Sequence, residues 1–363
     1  MFLLPCVVSG GLFRALRQKN HREVRRGFAK DAKKSRSAYQ SQITARSWEP
    51  EAADTICWMN PAALYFASGD SLYLGAGLLV LAVATAPNLR RPWLAALRSI
   101  ASWLGLAMMV MASPPFSWWV ITGFGATFVL WLITSRTGRI GINWLGLRRT
   151  AIALLLALLV VLPASELLHR GMPNVHGLSC DHLVVIGDSI SAGIDPRVPT
   201  WPMVMQRKTG IAVKNLSQPG AGVTEAQTMS TKVTPEDTVV LIEIGGNDLL
   251  SGVSSHEFSL ALESLLSRLD TPGRTLVMFE LPLLPHRISY GQIQRRLAKR
   301  YQAFLIPKRY FTSVLSGANA TSDGLHLSEV GAQRMAALVA QTLAPVLKPT
   351  VRPGAPATLR GKA

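Results

Sequence analysis

Four short stretches carry groups able to act together on an acyl bond: Gly187-Asp188-Ser189, Gly220, Gly245-Gly246-Asn247-Asp248 and Asp323-Gly324-Leu325-His326. A serine hydroxyl is a weak nucleophile and needs a base within hydrogen-bond reach. Of the seven histidines, His326 is the best placed, three residues after Asp323. Within so short a turn the carboxylate can accept from imidazole Nδ1, which leaves Nε2 to take the proton of Ser189. Acyl transfer also needs hydrogen-bond donors aimed at the oxyanion. The Ser189 N–H, the Gly220 N–H and the Asn247 side-chain amide are the candidates, with Gly222 a rival to Gly220 for the glycine donor.

These groups need a frame that brings them together. Apolar runs at 183–186, 211–216, 238–244, 275–281 and 304–306 read as strands. Helical patterns fall between and after them, at 201–208, 224–231, 255–269, 290–303 and 328–347. Strands alternating with helices imply βαβ units and a parallel sheet. In such a sheet, functional loops gather at the carboxyl ends of the strands. All four stretches fall there or in the loop before the last helix. No metal or organic cofactor is expected, since His256 and His286 lack a neighbouring ligand set. His182 and Asp181 precede the first strand and read as surface residues. Glu243 and Glu280 read as buried, satisfied carboxylates within strands.

Gly-Asp-Ser, a glycine after the second strand, Gly-x-Asn-Asp and Asp-x-x-His resemble the four blocks of the SGNH, or GDSL-type, hydrolase superfamily, over residues 180–345. The resemblance implies an α/β fold, a flavodoxin-like three-layer α/β/α sandwich. It also implies a catalytic set of Ser189, Asp323 and His326, with an oxyanion hole from Ser189, Gly220 and Asn247. Ile190 stands where the family's Gly-Asp-Ser-Leu has leucine, a conservative change. Implied substrates are lysophospholipids, simple esters, thioesters or acylated sugars. Two other readings are an acyltransferase or deacetylase modifying envelope glycans, and a non-enzymatic membrane scaffold.

The resemblance leaves the first half of the chain unexplained. About 20 apolar residues suffice for a helix to cross a bilayer. Residues 72–86 (reaching back to 65 but for Asp70), 99–113, 117–134 and 151–168 are four candidates, separated at one point by Pro114-Pro115. Arg90, Arg91 and Arg98 fall between the first two, and Arg136, Arg139, Arg148 and Arg149 between the last two. The positive-inside rule puts both groups in the cytoplasm and everything after the fourth span outside, as in a bacterial inner-membrane protein with an extracytoplasmic domain. The net charge of +17 is explained by this distribution rather than by nucleic acid.

The expected domains are a basic segment 1–58, a transmembrane region 59–170, a hydrolase domain 178–347 and a disordered tail 348–363. Residues 14–46 hold eleven Lys or Arg, which the same rule disfavours on the outer side. A miscounted span, an atypical segment or translation from Met59 each accounts for this conflict, and the last is the favoured reading. Arg295, Arg296, Lys299, Arg300, Lys308 and Arg309 read as a solvated basic face, with contact to anionic lipid head groups as the sharper alternative. Membrane lipids and an ester substrate are thus the expected partners. The three cysteines offer no pairing framework.

Overall fold

The computed structural model describes residues 61–85, 92–136, 142–177, 179–180, 182–283 and 285–348. The expectations for 1–58, Met59 and the tail beyond 348 lie outside these residues.

Five parallel strands form one sheet: β1 (His182–Gly187), β2 (Ala212–Asn215), β3 (Val239–Glu243), β4 (Thr275–Phe279) and β5 (Phe304–Ile306). Their spatial order is β2-β1-β3-β4-β5. This is the flavodoxin-like order, whose direction reverses beside β1 and opens a crevice at the strand carboxyl ends. β1, β3 and β4 are buried almost throughout because both faces are covered, so they read as unbroken apolar runs.

Alternate residues serve opposite layers. Leu183, Val185, Val239, Leu241, Val277 and Phe279 pack on one face with α7 (Trp201–Thr209), α12 (Lys308–Leu315) and α13 (Glu329–Leu343). Val184, Ile186, Val240, Ile242, Leu276 and Met278 pack on the other with α8 (Val223–Ser230), α10 (Ser255–Leu269) and α11 (Ile288–Arg300). The domain is therefore the three-layer α/β/α sandwich expected.

Ahead of it stand α1 (Pro61–Ser68), α2 (Ser71–Ala84), α3 (Pro92–Met111), α4 (Trp118–Arg136) and α5 (Ile142–Leu167). Among the described residues three helices are long and apolar enough to cross a membrane, or four if the bent pair α1–α2 counts as one. The backward extension of the first candidate span is not straight: α1 and α2 meet at 80°. Gly69 and Asp70 sit at the bend, and Asp70 Oδ1 pairs with Arg170 at 2.5 Å. Arg98, Arg148 and Arg149 also belong to helices rather than loops, each lying within the first turns of α3 or α5.

α2 and α3 cross closely because two glycines face each other. A Cβ on Gly75 would lie 2.6 Å from the Gly105 carbonyl oxygen, and one on Gly105 2.8 Å from that of Gly75. Small residues permit such an approach between helices in an apolar setting.

The bundle meets the sandwich through buried ions. Arg295 of α11 donates to Glu166 at 2.6 and 2.8 Å and to Glu280 at 2.7 Å. Burial works against its charge, yet the two carboxylates hold the guanidinium above its ordinary pKa. Lys308 is buried as well, its Nζ donating to the carbonyls of Ala112 at 3.2 Å and Ser113 at 3.4 Å. Burial pulls its ammonium down despite Glu280 and Glu166 nearby. Reading these two cations as part of a solvated face is thus overturned. Arg296, Lys299 and Arg300 do face solvent, Arg296 bonding Ser259 and Arg300 bonding Glu263.

Candidate active site

β1 ends at Gly187, and the chain turns at once into the four-residue helical turn α6 (Ser189–Ala192). A Cβ on Gly187 would lie 2.7 Å from Ser191 Oγ and 2.9 Å from the Glu243 carbonyl oxygen, so only glycine allows so tight an exit. Asp188 caps the turn, its Oδ1 accepting from the Ile190 N–H at 2.9 Å. The hydroxyl of Ser189 is thereby placed above the sheet, and its N–H lies in the first turn, where helical N–H groups lack intrahelical acceptors.

His326 lies 137 residues further on in sequence, yet its Nε2 is 3.1 Å from Ser189 Oγ. The other ring nitrogen, Nδ1, is 2.6 Å from Asp323 Oδ2. Since an ionised carboxylate only accepts, this contact puts the proton on Nδ1 and leaves Nε2 as acceptor for the hydroxyl. Asp323 Oδ1 also accepts the N–H of His326 at 2.7 Å and of Leu325 at 3.0 Å. Partial burial opposes ionisation of Asp323, but the imidazole and these N–H groups hold its pKa below the ordinary carboxylate value. The loop is closed by a bridge between Thr321 and Leu327, and Ser328 caps α13 immediately after it.

The candidate oxyanion donors gather on the β2 and β3 side. Gly222 donates its N–H to Glu225 Oε2 at 2.9 Å and is committed to capping α8. No hydrogen bond of the Gly220 N–H is found among the described residues, and a Cβ there would meet open space. Between the two rivals, only Gly220 has a donor to offer. Asn247 enters from α9 (Gly246–Ser251), after β3. Its Nδ2 donates to the Ala221 carbonyl at 2.9 Å and, over a longer 3.3 Å, to Asp188 Oδ2. Both amide hydrogens are therefore engaged, and donation to an oxyanion means release of the longer contact.

Three residues under the site were not singled out as a group by the sequence. Trp201 Nε1 donates to Ser191 Oγ at 3.0 Å, and Ser191 donates to Glu243 Oε2 at 2.7 Å. The Glu243 carboxyl also receives the backbone N–H of Asp188. Complete burial, then the nearby Asp188 charge, raises the Glu243 pKa well above its usual value. Burial likewise lifts Asp188 to about 6, against the Ile190 N–H and the positive field of His326. These bonds agree with the expectation that Glu243 is a satisfied interior carboxylate. The usable signal was register: Glu243 pairs with Gly187 across the sheet, directly below the turn.

Other expectations resolve simply. His182 and His256 are exposed, and Glu280 is satisfied by Arg295 and by the Lys308 N–H. Among the described residues no cluster of three or more His, Cys, Asp or Glu has the arrangement of a metal site. Asp181 and the side chain of His286 lie outside the described set.

Two cavities meet at Ser189. One, of about 160 Å³, also borders His326, Thr200, Trp201 and Ser322. The other, of about 170 Å³, borders Asn247 and is walled largely by apolar side chains.

Residues 185–334 match the GDSL-like lipase/acylhydrolase family. An arylesterase of Vibrio mimicus is 28% identical over 181 residues, 45% of this chain and 88% of that protein. A thioesterase 1/protease 1/lysophospholipase L1 of Escherichia coli is 23% identical over 47% of this chain and 86% of its own length. Among solved structures, that of TesA has 25% identity and a TM-score of 0.40, covering 46% of this chain and 99% of its own.

Proposed function

We propose, on the premise that residues 185–334 form a GDSL-type hydrolase domain, that this chain is a membrane-anchored serine esterase working through an acyl-Ser189 intermediate. The observation that carries the reading is the continuous contact from Ser189 Oγ through the His326 ring to Asp323, at 3.1 and 2.6 Å. These separations lie within the range needed for general-base catalysis. His326 Nε2 takes the hydroxyl proton as Ser189 Oγ adds to the ester carbonyl. Negative charge on the carbonyl oxygen is received by the N–H groups of Ser189 and Gly220 and by the Asn247 amide, released from Asp188. The imidazolium, held by Asp323, then protonates the departing alcohol. Water then attacks the acyl carbon as it gives a proton to His326, and the bond from that carbon to Ser189 Oγ breaks. His326 returns the proton to Ser189 Oγ, and the acyl group leaves as a carboxylic acid that ionises.

Membrane anchoring rests on parity. Three parts of the bundle abut the catalytic domain: α1 with Gly69, the turn at Ala112–Phe116, and the end of α5 at Glu166. Those parts then share one side of the bilayer, and the opposite ends of α2 to α5 share the other. Arg98, Arg148 and Arg149 belong to those opposite ends, which the positive-inside rule makes cytoplasmic. Exposed tryptophans mark both levels, Trp118 and Trp119 near the domain and Trp93 and Trp144 at the far ends, as in an interfacial aromatic belt. The catalytic domain is thereby extracytoplasmic, close to lipid and envelope esters.

The test is Ser189→Ala in the full chain, in detergent or reconstituted vesicles. Labelling by a fluorophosphonate is expected to vanish, and p-nitrophenyl ester turnover to fall at least about 1000-fold, with the thermal unfolding profile retained. Turnover that survives this substitution removes Ser189 from the mechanism.

A further inference from the structure

We infer that α1, a helix outside the hydrolase domain, is a wall of the acyl-chain site and sets the chain length accepted. The inference rests on the proposed acyl-Ser189 reading and assigns the two cavities by the chemistry of the step. His326 must protonate the departing alcohol, so the alcohol lies in the cavity that Ser189 shares with His326. The acyl chain is left with the other cavity, which Ser189 shares with Asn247 and which His326 does not border.

That second cavity suits an unbranched hydrocarbon chain. Leu281, Phe311 and Leu315 line it from the domain, and Ala63, Leu64 and Ala67 line it from α1. Ala67 is four residues from Ala63 and three from Leu64, spacings that share a helix face, so the three form one continuous wall. Leu64 is buried and belongs to the same core as Phe311 and Leu315, which fixes α1 against α12. The wall is therefore part of the packed structure. Ala67, half-buried on this wall, sets the free width of the cavity, because a larger residue there projects into the space.

An apolar cavity of roughly 150 Å³ holds a benzene-sized molecule, so about 170 Å³ accommodates an acyl tail of about six carbons. α1 leads directly, through the bend at Gly69-Asp70, into the apolar helix α2. The site thus takes fatty-acyl esters, presented beside the bilayer, in preference to acetyl esters.

The experiment compares kcat/KM of the full-length protein for p-nitrophenyl acetate, butyrate, hexanoate and decanoate, and reads the hexanoate-to-acetate ratio. A ratio is unaffected by the fraction of folded enzyme. Wild type is expected to gain roughly fourfold per methylene up to about hexanoate. Ala67→Phe occupies the space of about three methylenes and should cut the ratio about 50-fold. Ala67→Leu, a milder change if the phenylalanine variant fails to fold, should give an intermediate cut. Leu64→Ala opens the wall and should move the optimum towards decanoate.

Ratios in both Ala67 variants within twofold of wild type overturn the inference, as does a wild type that prefers acetate. Failure of the underlying reading has a different signature, ester turnover that persists in Ser189→Ala.

Discussion

Leu154 of α5 and Leu260 of α10 are about equally exposed, at 50% and 57%, but they belong to surfaces of opposite character. Around Leu154 the outward positions are apolar too, with Val160, Val161 and Leu145 on the same helix more than half exposed. Around Leu260 the helix presents His256, Glu257 and Ser267 to solvent, and its apolar residues Phe258, Leu262, Leu265 and Leu266 point inward. A single exposed leucine on a polar helix needs no explanation, whereas a continuous apolar surface marks contact with something apolar. The bundle also differs inside. Its core is apolar and its helices approach at glycines, whereas the α/β domain buries carboxylates and satisfies them. The two surfaces suit different surroundings, water for the α/β domain and, on the proposed reading, the bilayer for the bundle. The buried Arg295–Glu166–Glu280 group joins the two regions.

Removing the join has the largest expected effect on stability. Arg295→Ala leaves Glu166 and Glu280 buried without their cation, which typically costs about 3–5 kcal/mol. Thermal unfolding in detergent measures it, and a change below 1 kcal/mol would mean that the two regions are held together by something else. The pair of leucines sharpens the contrast between surfaces. Leu154→Lys should cost about 2.5–3.5 kcal/mol in membrane insertion, read as loss of inserted protein. Leu260→Lys should stay within about 0.5 kcal/mol in unfolding. Equal effects at both positions would abolish the distinction.

The polar interior of the domain predicts a pH dependence specific to it. The folded pKa of Asp188 is about 6, raised above its ordinary 3.8 chiefly by burial. A carboxyl raised in this way favours folding while protonated. Its contribution is fully present below its ordinary pKa of 3.8 and is lost as pH rises through about 6. Asp188→Asn should lessen the slope of the stability profile across that window, Glu243 supplying the remainder, and an unaltered slope in thermal unfolding would place the titration elsewhere.

Much of the site could be read from residue types and order. Motif spacing points to Ser189, Asp323 and His326, whose side chains are in contact, and to Asn247, which borders the same cavity as Ser189. The strands were legible because a parallel sheet covered on both faces leaves continuous apolar runs. Charge was read less well. Arg295 and Lys308 lie near Arg296, Lys299 and Arg300 in sequence, and composition alone makes all of them look solvated. The helical turn sends Arg295 towards Glu166, a residue 129 positions earlier, and local pattern carries no record of such a partner. The bend at Gly69-Asp70 is likewise unmarked in local pattern, and Asp70 there pairs with Arg170, a hundred residues away.

The order of the residues along the chain by itself determined which groups could do chemistry and which segments prefer hydrocarbon, because both follow from side-chain type and short-range periodicity. Only the tertiary structure decided that α1 lies against the catalytic cavity, that Glu243 sits beneath the Ser189 turn, and that Gly220 rather than Gly222 has a donor to spare. Each of these depends on contacts between distant segments, and such contacts are fixed by packing the whole molecule at once.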